Sequence, residues 1–419
     1  MQIDKKIIYV LFIAFVILYF FKESFWTKYV INISIIVLGF PYKKTDNYYY
    51  KQLPFFVLIM SLGLVGFFKF QLRDVVRDIY YFSIPIISLI IAYILAKKNS
   101  IEEFITGFVL LGIIFSFCHV IISIQKSGLN IFNDFLKIRD EVSPGNSLSV
   151  ISLSILLFHK KYETEIIFKK NILRFAIFIN AFALILSGSR TYLIITILFF
   201  VFLFFKIINL KKILLISALV CITGLITINF SGFEERKDGE DVTFTNKLIG
   251  SILEIASSDD YESERDIIVK YRGYESLMAF QTFNSSTFIE KLFGKGFGAL
   301  IDLEMDVQLG ENSFRLIPIL HNGFLYILIK TGILGIFVYF LFYFYLFKHI
   351  RRFYSMTSNN LQFLFLDRLV KASILSLMAS NFVVSSSFNT EFEFLQIFQF
   401  TLFFKMVEHE QIFLKNINL

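Results

Sequence analysis

The sequence predicts an all-α polytopic membrane protein: a bundle of about a dozen spanning helices, by bilayer length, with one large loop of helical character. Three observations predict it. The 419 residues are 56% hydrophobic and include 55 phenylalanines, more apolar surface than a water-soluble fold can hide. Charged residues make up 18%, against about 25% for a soluble chain, and mean hydropathy is +0.66. Apolar runs of bilayer length recur along most of the chain.

Taken in order, spans are expected near 7–21, 29–40, 54–68, 79–96, 102–124, 147–158, 171–188, 190–206, 211–229, 320–347, 369–387 and 391–407. The first follows Lys5 and Lys6, and no small-residue cleavage site follows it, so it reads as an anchor rather than a removed leader. Those at 29–40 and 147–158 are short. Cys118 and Cys221 both fall inside apolar runs. Disulfides are therefore not part of the design, and no Cys/His spacing suggests a metal site.

The net charge of +7 is distributed loop by loop and is not a nucleic-acid signal. With a cytoplasmic N-terminus, about 22 Lys and Arg fall on the inside, among them Lys97, Lys98, Lys160, Lys161, Arg351 and Arg352. About nine fall in the short outside loops by the same rule. Both chain ends are thus expected in the cytoplasm. Three regions result: spans one to nine over 1–229, an outward cap over 230–318, and the last three spans over 319–419. The cap holds half of the acidic residues. Apolar residues at helical spacing in Leu248–Ile255 and in Tyr274–Phe283 predict helices lying flat on the membrane surface.

Three clusters carry chemistry. Ser187-Gly188-Ser189-Arg190-Thr191 forms a tight polar turn between two spans on the outer side. An arginine there is costly unless used, and its guanidinium suits a phosphate or pyrophosphate. The following helix N-terminus adds donors. The same residue also fits a plain interfacial arginine that reaches headgroups. His321-Asn322 opens the tenth span, with Gly332 and Gly335 on nearly the same helical face, where another helix could pack beneath the histidine. A rim histidine can act as a general base near neutral pH, or be an ordinary interfacial residue; His119 is its only rival on that side. In the cap, Arg272 opens an amphipathic helix containing Ala279, Phe280 and Phe283, with Arg265 shortly before it. Such cations also serve simply as partners of nearby carboxylates. Phe293-Gly294-Lys295-Gly296-Phe297-Gly298 reads as a hinge between cap and tenth span; no strand-loop-helix pattern makes it a phosphate loop. Arg73, Arg77, Lys137 and Arg139 also face outward, where they read first as solvated loop charges and only second as guides for an anion.

Together these clusters, in this order from about Leu184 to Leu346, resemble the O-antigen ligase and O-antigen polymerase superfamily (the WaaL and Wzy types). His321-Asn322, nine residues, Gly332, two residues and Gly335 fit that family's histidine pattern. Arg272 with Ala279, Phe280 and Phe283 is similar to its loop motif, and Gly294 to Gly298 to the glycine turn that follows. The first five spans carry no matching motif. The resemblance implies a GT-C-like glycosyltransferase of the bacterial inner membrane with a periplasmic cap. Its donor would be a glycan on undecaprenyl pyrophosphate, and its acceptor another glycan. It implies Arg190 and Arg272 as pyrophosphate holders and His321 as base, with Arg265, Ser189 and Asn322 as binding residues. Neither metal nor other cofactor is required, no nucleic acid is a partner, membrane lipid is, and a chain-length regulator protein is compatible with it.

A polymerase and a ligase share this frame and differ in acceptor. A composition rich in Phe, Ile, Lys, Asn and Tyr, a bias associated with O-antigen gene clusters, inclines the reading toward polymerase. Two other classes compete. A transporter would line its path with ionisable groups, for which Lys330, Glu391 and Glu393 are the candidates, but the uneven division of the chain argues against paired halves. An inactive scaffold would elongate nothing.

Overall fold

The computed structural model describes residues 5–18, 20, 25–39, 47–128, 138–143, 145–165, 168–205, 271–309, 312–357 and 360–417. They are mostly helical. The expected ninth span at 211–229, the amphipathic stretch at Leu248–Ile255, Arg265 and Lys137 lie outside them, as does the side chain of Arg139. In chain order come α1 (Lys5–Leu18), α2 (Phe25–Gly39), α3 (Asn47–Gly63), α4 (Leu72–Lys98), α5 (Ile101–Ser127), α6 (Ser147–Phe158), α7 (Lys170–Ser187) and α8 (Arg190–Phe204). Then follow α9 (Tyr271–Asn284), α10 (Phe288–Phe293), β1 (Ile301–Leu309), β2 (Asn312–Ile317), α11 (Gly323–Thr357), α12 (Leu361–Val384) and α13 (Glu393–Ile417).

Among the described residues, five segments are long and apolar enough to cross a bilayer: Lys51–Phe68, Leu72–Lys98, Ile101–Ser127, Lys170–Ser187 and Gly323–Met356. Tyr9–Leu18, Tyr29–Gly39 and Arg190–Phe204 are shorter apolar helices. Helices α6, α12 and α13 stand where the sixth, eleventh and twelfth spans are expected. The apolar helices make this a helical membrane protein.

Pairing between helices follows from small residues and aromatic stacks. On α5, Gly112 has no side chain, so Ser152 and the Leu148 carbonyl of α6 come against its backbone. Ser116 completes the contact, bonding Ser149 at 2.8 Å and Asn180 of α7 at 2.9 Å. Phe82 of α4 meets Phe388, just before α13, while further along the two helices Tyr93 meets Phe404 and Lys97 pairs with Glu408, so they run parallel. Helix α8 runs antiparallel to α12. At one end Tyr192 stacks on Phe392. At the other, Tyr162 bonds the Leu203 carbonyl and stacks on Phe365.

Two expectations are corrected. The loop is not wholly helical: β1 and β2 form an antiparallel hairpin, pairing Ile301 with Ile317 and Leu309 with Asn312. The cause is a period of two: Ile301, Leu303 and Val307 are buried, while Asp302, Glu304 and Asp306 between them are exposed. A bulge after Asp302 accommodates Glu304, at φ 61°.

The second correction concerns the tenth span and the glycine turn. Helix α11 is interrupted at Gly332, whose φ of 70° and ψ of −170° no other residue type readily adopts. The break removes the N–H donors that would reach the carbonyls of Ile329 and Lys330. The glycine turn replaces them: Lys295 N–H donates to Ile329 at 2.9 Å, and Gly296 N–H to Lys330 at 3.1 Å. Phe297 N–H then donates to the Gly63 carbonyl at 2.7 Å, and Gly298 N–H to Asp78 Oδ2 at 2.6 Å. Four successive donors are thereby used, so this turn is a wedge set into the bundle and not a hinge. A Cβ on Gly332 would meet the Leu292 carbonyl and the Gly294 nitrogen, which shows what packs there: the end of α10 and the turn, not another long helix.

Asp78 of α4 ties the wedge down. Its other partners are Lys330 Nζ at 2.6 Å and the Tyr326 hydroxyl at 2.8 Å, all three groups being buried. Lys330 also donates to the Ala299 carbonyl. Removing one member of such a pair strands the other charge. Lys330→Met is expected to destabilise the protein by about 3–5 kcal/mol. Adding Asp78→Asn should cost clearly less than the sum of the single changes, as read from melting curves in detergent.

Candidate functional site

His321 sits at the start of α11, where the loop enters the bundle. Its backbone is held from both sides. The Ser385 hydroxyl, at the end of α12, donates to its carbonyl at 2.9 Å and also bonds the carbonyl of Leu320. From the cap, one oxygen of Glu275 on α9 accepts from the His321 N–H at 3.0 Å. The second oxygen lies 2.8 Å from Nδ1 of the ring. Glu275 is 2% exposed, whereas the histidine side chain is 45% exposed. Tyr271, one turn before Glu275, meets the ring edge to face at 6.0 Å. Burial first, then the charge of Glu275, push the Tyr271 hydroxyl well above its ordinary value, so it stays neutral at any working pH.

Asn322 ends the loop and begins the helix. Its side-chain oxygen accepts from the N–H groups of Phe324 at 3.0 Å and Leu325 at 3.2 Å. These are otherwise unsatisfied first-turn donors, so Asn322 is the cap of α11.

Arg272 follows Tyr271 and precedes Glu275 by three residues on α9. By helical geometry it lies within about 60° of Glu275 around the axis, on the part of α9 that meets His321. Arg190 opens α8. Gly188, at φ 52°, closes α7 and turns the chain, and Ser189 precedes the first turn of α8 without capping it by its side chain. Two residues into α8, Tyr192 stacks on Phe392 at 5.6 Å. The segment from Ser385 to Phe392 thus touches α8 near Arg190 and the backbone of His321. The beginnings of α8, α9 and α11 therefore share one end of the molecule. Arg190 and Arg272 are both half-buried.

The other expected residues are placed as follows. His119 is fully buried on α5, its Nε2 3.3 Å from the Ser143 carbonyl and its ring against Phe115. Arg77 pairs with Asp74 at 2.9 Å, and Arg73 is exposed nearby. Glu393 is buried and accepts from Asn32 at 2.7 Å. Among the described residues no cluster of His, Cys, Asp and Glu could hold a metal ion. Sequence reasoning missed Glu275, since a single glutamate on a cap helix carries no signal until the fold brings it to a histidine 46 residues on.

A rim histidine on a buried carboxylate and two arginine-bearing helix starts thus lie at the same end of a helical membrane protein. Residues 175–340 match the family model described as O-antigen ligase. The match spans Arg190, Arg272, His321 and Asn322, and the resemblance read from the motifs, to the O-antigen ligase and polymerase superfamily, is thereby shown. Members are glycosyltransferase-like enzymes of polysaccharide biosynthesis, with lipid-linked glycans as substrates. No curated protein matches the chain.

The capping geometry makes Asn322 testable. Asn322→Ala is expected to lower stability by about 1 kcal/mol, while Asn322→Asp, which keeps the cap, stays near wild type. Activity lost in Asn322→Asp with stability intact would instead mark a direct contact with substrate.

Proposed function

We propose that the protein is an O-antigen polymerase of the bacterial inner membrane. It extends a surface polysaccharide by transferring a glycan from undecaprenyl pyrophosphate to another lipid-linked repeat unit at the periplasmic face. Both chain ends then lie in the cytoplasm, with the cap and His321 on the periplasmic side. The observation that carries the reading is the ordered set Arg190, Arg272 and His321 inside the family match. It is supported by the starts of α8, α9 and α11 lying at one end of the molecule.

The acceptor hydroxyl oxygen attacks the anomeric carbon as the bond from that carbon to the pyrophosphate oxygen breaks, with inversion. Its proton passes to His321. The lipid pyrophosphate departs with the bonding electrons, and Arg190 and Arg272 hold its growing charge, a role in which Arg265 is a further candidate. Guanidinium groups grip two oxygens at once, which a lysine cannot. Ser189 and Asn322 border the path of the donor. A chain-length regulator protein would act on this reaction from outside the site. The transporter reading loses support from Lys330, which is buried in a pin between α4, α11 and the glycine turn rather than lining a path.

The test is a lipopolysaccharide gel of a deletion strain carrying each variant. The deletion is expected to leave single repeat units attached; loss of every repeat would make the protein a ligase. His321→Ala and Arg190→Ala should each restore no chain lengthening despite normal insertion, and Arg190→Lys should remain impaired. Full-length chains from both alanine variants would refute the site.

A further inference from the structure

Glu275 does more at His321 than fill space. A buried carboxylate is costly to desolvate unless donors replace water. Here two donors of one residue replace it: the backbone N–H of His321 at 3.0 Å and the ring at 2.8 Å. The carboxylate only accepts, so the ring nitrogen facing it, Nδ1, carries the proton. In the neutral ring the lone pair is then on Nε2. Nδ1 is covered by Glu275 and one ring side is met by Tyr271. The side chain is 45% exposed, and with Nδ1 taken by Glu275 the ring nitrogen left for a substrate is Nε2.

We propose that Glu275 is the positioning residue of the transfer reaction. It holds His321 in the Nδ1–H form with Nε2 toward the acceptor hydroxyl, and its charge stabilises the imidazolium that forms when Nε2 takes the proton. The Nδ1 proton stays on the ring, donated to Glu275 throughout. The inference rests on the reading of His321 as the base.

Glutamine separates this role from a structural one. In Glu275→Gln the amide oxygen still accepts from the His321 backbone N–H, so the loop stays docked. The amide NH2 then faces Nδ1 and donates to it, which drives the ring proton to Nε2 and removes the basic edge.

The experiment uses the full-length protein in liposomes with the undecaprenyl-pyrophosphate-linked repeat unit extracted from the deletion strain. For Glu275→Gln, kcat is expected to fall by about 10²–10⁴-fold, with KM for the lipid-linked unit and the melting temperature near wild type. Glu275→Asp should recover part of the loss. In parallel, 15N spectra of histidine-labelled protein, with the His321 signal identified by its loss in His321→Ala, are recorded where the ring is neutral. Wild type should show a protonated Nδ1 and Glu275→Gln a protonated Nε2. Wild-type kcat in Glu275→Gln, or the same tautomer in both proteins, overturns the role of Glu275. A fully active His321→Ala overturns the base reading itself, whichever tautomer is seen.

Discussion

A helix broken inside a membrane protein must find new partners for the carbonyls it frees, because lipid offers none. The interruption of α11 at Gly332 meets that demand with the glycine turn, whose N–H groups take the places vacated on Ile329 and Lys330. Much else depends on this exchange. It seats the end of the cap in the bundle and brings Gly298 and Ala299 to Asp78 and Lys330. It also fixes the first two turns of α11 against α4 through Tyr326. Since His321 stands at the head of those turns, its position is inherited from a network some three turns below it.

The site above is assembled from ends rather than from middles. Helix starts contribute Arg190, Arg272 and His321, and the close of α12 contributes Ser385. Charged and titratable groups are affordable at such places, where water and headgroups reach them, and costly at mid-bilayer. Where ionic groups do lie deep, as with Asp78 and Lys330, they are consumed by each other. Titratable groups at the rim and a paired ion in the body are what the proposed transfer reaction asks for.

Hydropathy and spacing made much of the helical frame legible, and the order of the arginine and histidine motifs led to the family later matched. What stayed hidden had physical reasons. The hairpin was written in the alternation of Ile301, Asp302, Leu303 and Glu304, but an acidic loop read for helical periodicity passes over a period of two. Gly332 and Gly335 share a helical face only if the helix is continuous; the break at Gly332 voids the count, and Gly335 instead gives room to Thr331 of its own chain segment. Lys330 stood out as an intramembrane charge, yet nothing local could name Asp78 as its partner. Glu275 was obscure for the same reason: proximity in space across dozens of residues leaves no mark in composition.

The distance between Asp78 and Lys330, 252 residues, has a bearing on biogenesis. A chain threaded from its N-terminus delivers the carboxylate long before the ammonium exists. Through that interval Asp78, six residues inside α4, would have to remain at the water boundary or take up a proton. It could settle at its final depth only when α11 arrives together with the glycine turn. The last third of the polypeptide would then complete the seating of the first.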